Sequence, residues 1–245
     1  MIEPNFPKCY KASSKPHMFC PGCGHPIVLK MLGEVIDEMG IQDKTVFLID
    51  IGCSLLAWDY FDVDTSQTHH GRTTPVAVGF KRANPDAIVI AYMGDGGGYA
   101  IGMSQTVHAA YRNEPITTIL VNNTLYGMTG GQLAPTTLFD QKTGSAPFGR
   151  EDADNGKPLH GPEFLSNIAD ETAYLARGSV LNPTLLKTFL KKGIENQINN
   201  KSYSFIEAIS LCPLNWKTNA KETLELGKKM ESVYKVGEIK NNKNN

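Results

Sequence analysis

Two short apolar runs in the middle of the chain carry the clearest structural signal. Residues 87–93 (Ala-Ile-Val-Ile-Ala-Tyr-Met) and 116–121 (Ile-Thr-Thr-Ile-Leu-Val) are continuous rather than alternating, which is typical of buried strands in a parallel sheet. Between them lie a glycine-rich turn and a helix-like segment, residues 99–112, that ends before Pro115. The pattern predicts a strand, turn, helix and strand, with both strands ending at one edge of the sheet.

The rest of the pattern extends this unit into an α/β fold. Further strands are predicted at residues 45–51, 174–180 and 204–210, and helices at 26–39, 74–83, 163–171 and 183–199. Residues 141–162, rich in Gly, Pro, Asp and Lys, predict a long loop that covers a site or meets a partner. A polar N-terminal arm is expected at 1–18 and a disordered tail at 236–245.

Length and composition favour one intracellular domain over residues 1–245. With 245 residues, 41% of them hydrophobic, the chain can bury one large core. A net charge of −1 gives no long-range attraction for nucleic acid or an anionic membrane. No apolar run approaches the ~20 residues of a membrane span, and the opening Met1-Ile2-Glu3-Pro4 has no secretory character. We therefore expect a cytoplasmic protein without nucleic-acid or membrane partners.

Four of the five cysteines stand in contexts that suit metal binding. Cys20 and Cys23 form a CxxC pair, and Cys53 and Cys212 are single, each beside Gly or Pro. Such a set supplies the four thiolates of a [4Fe–4S] cluster. It also suits a structural zinc ion, a CxxC redox pair or thiols that only pack in a core. Cys9, in the polar arm, is expected to bind nothing.

The glycine turn and the asparagines after the second apolar run predict a site for a metal-bound diphosphate. The turn, Gly94-Asp95-Gly96-Gly97-Gly98, opens a helix whose first amides can bind phosphate. Asp95 and the side-chain carbonyl of Asn123 are hard oxygen ligands of the kind that Mg²⁺ prefers. Twenty-five residues lie between Gly96 and Asn122, a spacing typical of thiamine diphosphate sites. A dinucleotide site is disfavoured, because no acidic residue closes the second strand.

In their order along the chain, these motifs resemble the β subunits of the 2-oxoacid:ferredoxin oxidoreductases. The resemblance runs from about residue 19 to residue 216. The motifs are Cys20-Pro21-Gly22-Cys23-Gly24, Gly52-Cys53-Ser54, His70-Gly71-Arg72, Gly94-Asp95-Gly96, Asn122-Asn123, Tyr126-Gly127-Met128-Thr129-Gly130-Gly131-Gln132 and Cys212-Pro213. Each motif alone is weak evidence, but together in this order they are specific.

The resemblance implies the fold, the cofactors and the residues that hold them. The fold is the thiamine diphosphate-binding fold, a mostly parallel twisted sheet with helices on both faces. Mg²⁺ is expected on Asp95, Asn123 and the Leu125 carbonyl. The implied [4Fe–4S] ligands are Cys20, Cys23, Cys53 and Cys212. The residues implied to contact thiamine diphosphate are Cys53, Ser54, His70, Gly94, Asp95, Gly96, Gly97, Asn123, Leu125, Tyr126, Gly127, Met128 and Thr129. His70 and Arg72 are implied to be catalytic, and His69 has no assigned role.

The resemblance also implies an activity that needs other subunits. Thiamine diphosphate would attack a 2-oxoacid, the cluster would pass the electrons of decarboxylation to ferredoxin, and coenzyme A would accept the acyl group. The carboxylate that activates the cofactor is expected on a companion α subunit, because Glu34 and Glu38 fit a solvated helix face. Ferredoxin and the γ and ferredoxin-like δ subunits are the other implied partners. The chain alone is expected to be inactive.

Three positions favour a branched-chain substrate of the 2-oxoisovalerate type. Relatives that act on 2-oxoglutarate tend to carry Gly followed by Lys or Arg, and a further Lys, where this chain has Leu55, Leu56 and Gly130. Burying a second substrate carboxylate without a cation costs several kcal/mol. Met128 suits a branched tail, or only packs in the core. The alternatives are 2-oxoglutarate or pyruvate, a non-redox thiamine decarboxylase or synthase, and a zinc or electron-transfer scaffold without catalysis.

Overall fold

A seven-stranded sheet forms the centre of the computed structural model, which describes residues 6–11 and 17–241. Its order is β2-β1-β3-β4-β8-β7-β9, parallel throughout except for β9, which pairs antiparallel with β7. A separate antiparallel ribbon joins β5 and β6. The strands are β1 (Thr45–Ile49), β2 (Asp64–Gln67), β3 (Ile88–Gly94), β4 (Thr117–Asn122), β5 (Leu125–Tyr126), β6 (Gln132–Leu133), β7 (Tyr174–Ser179), β8 (Ser204–Ile209) and β9 (Gly237–Lys240).

Helices cover both faces of the sheet, as predicted. They are α1 (His25–Met39), α2 (Thr73–Ala83), α3 (Met103–Tyr111), α4 (Asp152–Asn155), α5 (Gly161–Ser166), α6 (Pro183–Asn199), α7 (Pro213–Trp216) and α8 (Ala220–Val233). Along β3, Ile90 and Tyr92 pack in the layer that contains α1 and α6, whereas Val89 and Ala91 pack in the layer that contains α2 and α3. Burial on both faces explains why the strand sequence is continuously apolar.

The helix expected at residues 99–112 begins differently from the prediction. A π-helical turn, Gly97–Ile101, begins within the glycine turn, and α3 starts only at Met103. Single π-helical turns are frequent at functional sites. Here the turn lies at the carboxyl end of β3, beside Asp95.

The disordered tail predicted at 236–245 is wrong for residues 236–241. Gly237–Lys240 forms the edge strand β9 against β7. Side-chain contacts also hold it: the Tyr174 hydroxyl (3.0 Å) and the Lys192 ammonium (2.7 Å) donate to Glu238, and the Lys240 ammonium donates to the Ala169 carbonyl (2.6 Å). Residues 242–245 lie outside the described chain.

The N-terminal arm is less polar than its sequence suggested. Cys9 is fully buried, and its thiol donates to the Gly33 carbonyl at 3.5 Å. The backbone N–H groups of Lys8 and Cys9 donate to the carboxylate of Asp37 on α1. Residues 6–11 therefore pack against α1. Residues 1–5 and 12–16 of the predicted arm lie outside the described chain.

The strand directions bring the ends of four parallel strands to one edge of the sheet. Asp50 follows β1, Asp95 follows β3, Asn123 follows β4 and Cys212 lies three residues beyond β8. Ligands of α/β sheets bind at this carboxyl edge. Over residues 6–11 and 17–241, none of the helices combines the length and apolar character needed to cross a bilayer.

Candidate cofactor and cluster site

A cavity of about 110 Å³ opens at this edge, and we call it the Asp95 cavity. Its wall includes all thirteen residues that the resemblance assigned to thiamine diphosphate. They come from four segments that are distant in sequence: the loop after β1, the loop before α2, the glycine turn after β3, and the segment after β4. The lining also contains His25, which the sequence did not indicate.

Asp95 is a buried carboxylate in the wall of this cavity. The backbone N–H of Gly96 donates to its Oδ1 (2.8 Å), and the Thr136 hydroxyl donates to its Oδ2 (3.1 Å). Burial raises the pKa of Asp95 to about 7, and the nearby Glu207 carboxylate contributes to the rise. A bound cation offsets such a cost because it favours the ionised form. The environment of Asp95 therefore fits a magnesium ligand.

The two asparagines after β4 have different environments. Asn123 lines the cavity, and its side-chain oxygen accepts from the N–H of Leu125 at 3.2 Å. Asn122 is fully buried behind the cavity wall, where its amide group donates to Glu207 (3.2 Å) and its oxygen accepts from Thr124 (3.0 Å). Of the pair, Asn123 has the position of a ligand, and Asn122 supports the loop.

Asp50, which the sequence did not indicate, orients His70. The His70 Nδ1–H donates to Asp50 Oδ2 (3.0 Å), and the same carboxylate accepts from the Gly71 N–H (2.7 Å) and the Thr73 hydroxyl (3.2 Å). Asp50 is fully buried, whereas His70 is about 43% exposed at the cavity. A Cβ atom at Gly97 would lie only 1.9 Å from Asp50 Oδ2. Glycine at position 97 therefore makes room for this carboxylate.

Arg72 does not share the position of His70. Its side chain is exposed, lines neither cavity described here, and donates to the carbonyls of Gly71 (3.0 Å) and Ile101 (3.1 Å). These bonds join the loop before α2 to the π turn. Arg72 therefore lies at the rim of the Asp95 cavity and does not line it. His69 is also exposed and lines neither cavity.

A second cavity of about 320 Å³, which we call the cysteine cavity, is lined by Cys20, Cys23, Cys53 and Cys212. The CxxC turn meets the segment around Cys212 through a bond from the Gly24 N–H to the Leu211 carbonyl (3.1 Å). Cys20 is exposed, and the other three sulfurs lie deeper. Burial raises the pKa of both Cys23 and Cys53 to about 12, and neighbouring cysteines contribute to each rise. The four thiols are therefore close enough to influence one another.

The four cysteines are arranged around a cavity. A zinc ion needs four ligands at about 2.3 Å from one point. A [4Fe–4S] cluster spaces its four thiolates around a larger body. Four cysteines around a 320 Å³ cavity fit that requirement.

The two cavities share a wall. Five residues line both of them: His25, Cys53, Asn123, Gly127 and Met128. His25 is 2% exposed, its Nδ1 lies 2.6 Å from the Tyr92 hydroxyl, and burial lowers its pKa to about 3, so it is neutral. The sulfurs are thus gathered at the same edge as Asp95, separated from it by the thickness of one layer of side chains.

Most of the positions that were used to predict the substrate line the cysteine cavity. Leu56 and Gly130 line the cysteine cavity, Met128 lines both cavities, and Leu55 lines neither. Met128 is half exposed, so it is not a core residue. Among the described lining residues of the two cavities there is no Lys or Arg.

The long loop predicted at 141–162 is held by one buried arginine. The Arg150 guanidinium donates to six backbone carbonyls, those of Ala134, Pro135, Thr137, Asn155, Gly156 and Lys157. Three of these acceptors flank Thr136, whose hydroxyl donates to Asp95. The loop therefore braces the segment beside Asp95. A short helix, α4, also interrupts it.

Sequence reasoning missed Asp50, Thr136, Asn215 and Trp216. Trp216 donates from Nε1 to the Asn123 carbonyl (3.0 Å), and Asn215 donates from Nδ2 to the Gly127 carbonyl (3.0 Å). Their partners lie about ninety residues away along the chain. None of these contacts is predictable from local sequence, because each joins residues that lie 20 or more positions apart.

Residues 50–208 match a family model described as thiamine pyrophosphate enzyme, C-terminal TPP binding domain. The chain is 40% identical over 222 residues to ketoisovalerate oxidoreductase subunit VorA of Methanothermobacter thermautotrophicus, covering 89% of this chain and 46% of that protein. It is 38% identical over 199 residues to 2-oxoglutarate synthase subunit KorB of Methanocaldococcus jannaschii, covering 81% of this chain and 70% of that protein. The chain thus spans about half the length of the VorA relative.

A solved structure has the same fold over nearly the whole chain. It is described as 2-oxoglutarate:ferredoxin oxidoreductase from Magnetococcus marinus with 2-oxoglutarate, coenzyme A and succinyl-CoA bound. The TM-score is 0.81 at 26% sequence identity, covering 99% of this chain and 87% of that chain.

Proposed function

The chain belongs to the β subunits of the 2-oxoacid:ferredoxin oxidoreductases, and we propose that it binds thiamine diphosphate, Mg²⁺ and a [4Fe–4S] cluster. With its companion chains it catalyses the coenzyme A-dependent oxidative decarboxylation of a 2-oxoacid and passes the electrons to ferredoxin. The observation that carries this proposal is the wall shared by the Asp95 cavity and the cysteine cavity. It brings a diphosphate site and four thiols to adjacent positions.

The residues of the Asp95 cavity hold the cofactor in this proposal. Asp95, the Asn123 side chain and the Leu125 carbonyl would hold Mg²⁺, and the amides of the glycine turn would bind the diphosphate. His70, which is oriented by Asp50, lies next to that turn. Its Cε1 atom is 3.8 Å from the point where a Cβ atom at position 96 would lie. When bound, thiamine diphosphate supplies a C2 carbanion and an electron sink for decarboxylation. Cys53 and Met128 belong to the wall that this cavity shares with the cysteine cavity.

Cys20, Cys23, Cys53 and Cys212 ligate the cluster. Metal binding requires the thiolate form, so the cluster offsets the cost that burial places on these groups. Because Cys53 belongs to both walls, a bound cofactor and a bound cluster would lie on either side of this residue. That proximity supports a redox enzyme over a non-redox thiamine decarboxylase or synthase, in which the four cysteines have no role.

The proposal includes a companion α subunit that completes the site. Asp95 is the only Asp or Glu among the described lining residues of its cavity, and it is already assigned to Mg²⁺. A separate carboxylate is needed to activate the pyrimidine ring. The Asp95 cavity is also smaller than the roughly 300–1,000 Å³ of typical ligand pockets. Both facts support a second wall from another chain. The γ subunit, the ferredoxin-like δ subunit and ferredoxin are the further partners in this proposal.

We propose a branched-chain 2-oxoacid as the substrate. This chain contributes no Lys or Arg to the described walls of either cavity, so a cation for a second substrate carboxylate would have to come from a companion chain. The VorA relative is named a ketoisovalerate oxidoreductase subunit. The alternative is 2-oxoglutarate, which the KorB relative and the solved structure name.

The direct test is anaerobic purification of the chain with its co-expressed companions, followed by metal analysis and assay. We expect about four irons and four sulfides for this chain's cluster, and ferredoxin reduction that requires coenzyme A and is faster with 2-oxoisovalerate than with 2-oxoglutarate or pyruvate. Zinc in place of iron would support a scaffold. Aldehyde release without ferredoxin reduction would support a non-redox enzyme. Faster turnover of 2-oxoglutarate would overturn the substrate assignment alone.

A further inference from the structure

The short helix α7 joins the two cavities. It follows Cys212 directly and lies against the segment from Tyr126 to Gly131. The Asn215 side-chain amide donates to the Gly127 carbonyl (3.0 Å) and to the Cys212 sulfur (3.6 Å, within the range of bonds to sulfur). An amide group has two hydrogens, so both bonds can form at once. One side chain therefore contacts a predicted cluster ligand and the loop of the Asp95 cavity.

The backbone at Gly127 packs closely against Cys53 and Asn215. A Cβ atom at this position would lie 3.1 Å from the Cys53 sulfur and 3.5 Å from Asn215 Nδ2. At Gly131, which has a φ of 86°, a Cβ would lie 3.2 Å from the Asn215 Cβ. Movement of the segment after β4 therefore changes its contacts with both Cys53 and Asn215.

Asn215 places an N–H donor against a buried cysteine. Its side-chain nitrogen lies 3.6 Å from the sulfur of Cys212. A donor that stabilises negative charge on a thiolate also favours the reduced state of a cluster, because reduction adds negative charge that the sulfurs share.

We propose that Asn215 is a positioning residue that couples the cluster to the cofactor loop. Its N–H bond to Cys212 raises the reduction potential of the cluster, and binding of thiamine diphosphate and Mg²⁺ changes that potential by moving the Gly127 carbonyl. By thermodynamic linkage, the affinity for the cofactor then differs between the oxidised and reduced cluster. This inference rests on the proposed function, because it requires both groups to be bound.

The experiment measures the reduction potential of the cluster in the anaerobically purified full chain. Reductive titration followed by electron paramagnetic resonance is run with and without thiamine diphosphate and Mg²⁺, and cofactor binding is measured by calorimetry on the same samples. Two uncharged variants remove the side-chain donor: Asn215→Leu, which is similar in size, and Asn215→Ala. Trp216→Phe is the matched control, because it removes the neighbouring bond to the Asn123 carbonyl and leaves the Cys212 contact intact.

We expect a lower potential in both Asn215 variants than in the wild type at equal iron content. We also expect a cofactor-dependent shift in the wild type and in Trp216→Phe that is lost in Asn215→Leu. Equal potentials in the wild type and both Asn215 variants would overturn the inference, and so would a cofactor-dependent shift that persists in Asn215→Leu. A chain with four irons and bound cofactor but no shift contradicts only the coupling. A chain without iron contradicts the proposed function as well.

Discussion

Asp95 and Asp50 are both buried carboxylates at strand ends, yet only Asp95 could be recognised from the sequence. Asp95 belongs to a local glycine turn whose composition identifies it. Asp50 depends on groups about twenty residues further along the chain, His70, Gly71 and Thr73. That contact exists only after β1 and α2 have packed, so local sequence does not reveal it.

Replacing the Asp95 carboxylate with an amide should have opposite effects on the stability of the metal-free protein and on its binding of Mg²⁺. Burial raises the pKa of Asp95 to about 7. Between about pH 4 and 7, the metal-free folded protein therefore holds a proton on Asp95 that the unfolded chain has released. The free energy of unfolding falls as the pH rises through this range. Asp95→Asn should therefore stabilise the metal-free protein at pH 7.5, by up to several kcal/mol at about 1.36 kcal/mol per pKa unit.

Thermal unfolding with and without Mg²⁺ and thiamine diphosphate checks this expectation. In the wild type, the metal-dependent rise in melting temperature should be larger at pH 7.5 than at pH 5.5, because Mg²⁺ competes with the proton. It should vanish in Asp95→Asn, while the cluster absorbance is retained. An equal rise in wild type and variant would contradict the ligand assignment.

For Asp50, the isosteric variant Asp50→Asn should change the orientation of His70 while preserving the fold. The new amide can donate to Nδ1, which moves the His70 proton to Nε2. We expect ¹⁵N shifts of His70 to show this change of tautomer, and affinity for thiamine diphosphate to fall roughly tenfold or more, the equivalent of one charge-assisted hydrogen bond. Thr73→Val is the control, since it removes one donor and keeps the carboxylate. Wild-type shifts in Asp50→Asn would rule out the positioning role.

At the scale of elements, the sequence indicated the strands that are buried on both faces and missed those at the edges. β3 and β4 are continuous apolar runs because helices cover both of their faces. β9 has the sequence Gly-Glu-Ile-Lys and pairs on one side only, so its pattern resembles a polar tail. Its register is set by pairing with β7, more than sixty residues earlier, which no local pattern contains.

Removing β9 should therefore destabilise the protein. Deletion of residues 237–245 removes the side-chain bonds to Tyr174, Lys192 and Ala169 and the backbone pairing with β7, whose edge it exposes. We expect a loss of at least about 3 kcal/mol in urea unfolding, at about 1 kcal/mol for each side-chain bond, together with an increased tendency to aggregate. Deletion of residues 242–245 is the matched control, and an equal effect of the two deletions would refute the contribution of β9.

For the whole molecule, the sequence was sufficient to identify the family and the residues that line one edge of the sheet. The motifs are local, and strand direction alone brings them together. The contacts between the motifs could not be predicted: the bonds of Asn215 and Trp216 to the segment after β4 depend on how α7 packs. The wall that the two cavities share is likewise a product of packing and appears in no single motif.

The account depends on iron and thiamine diphosphate occupying adjacent cavities of this chain. The most direct measurement is anomalous diffraction at the iron edge from anaerobic crystals grown with thiamine diphosphate and Mg²⁺. We predict one compact iron peak bounded by Cys20, Cys23, Cys53 and Cys212, with the diphosphate on the other side of Cys53 beside Asp95. Zinc in that cavity, or iron and diphosphate at separate edges of the sheet, would contradict the account.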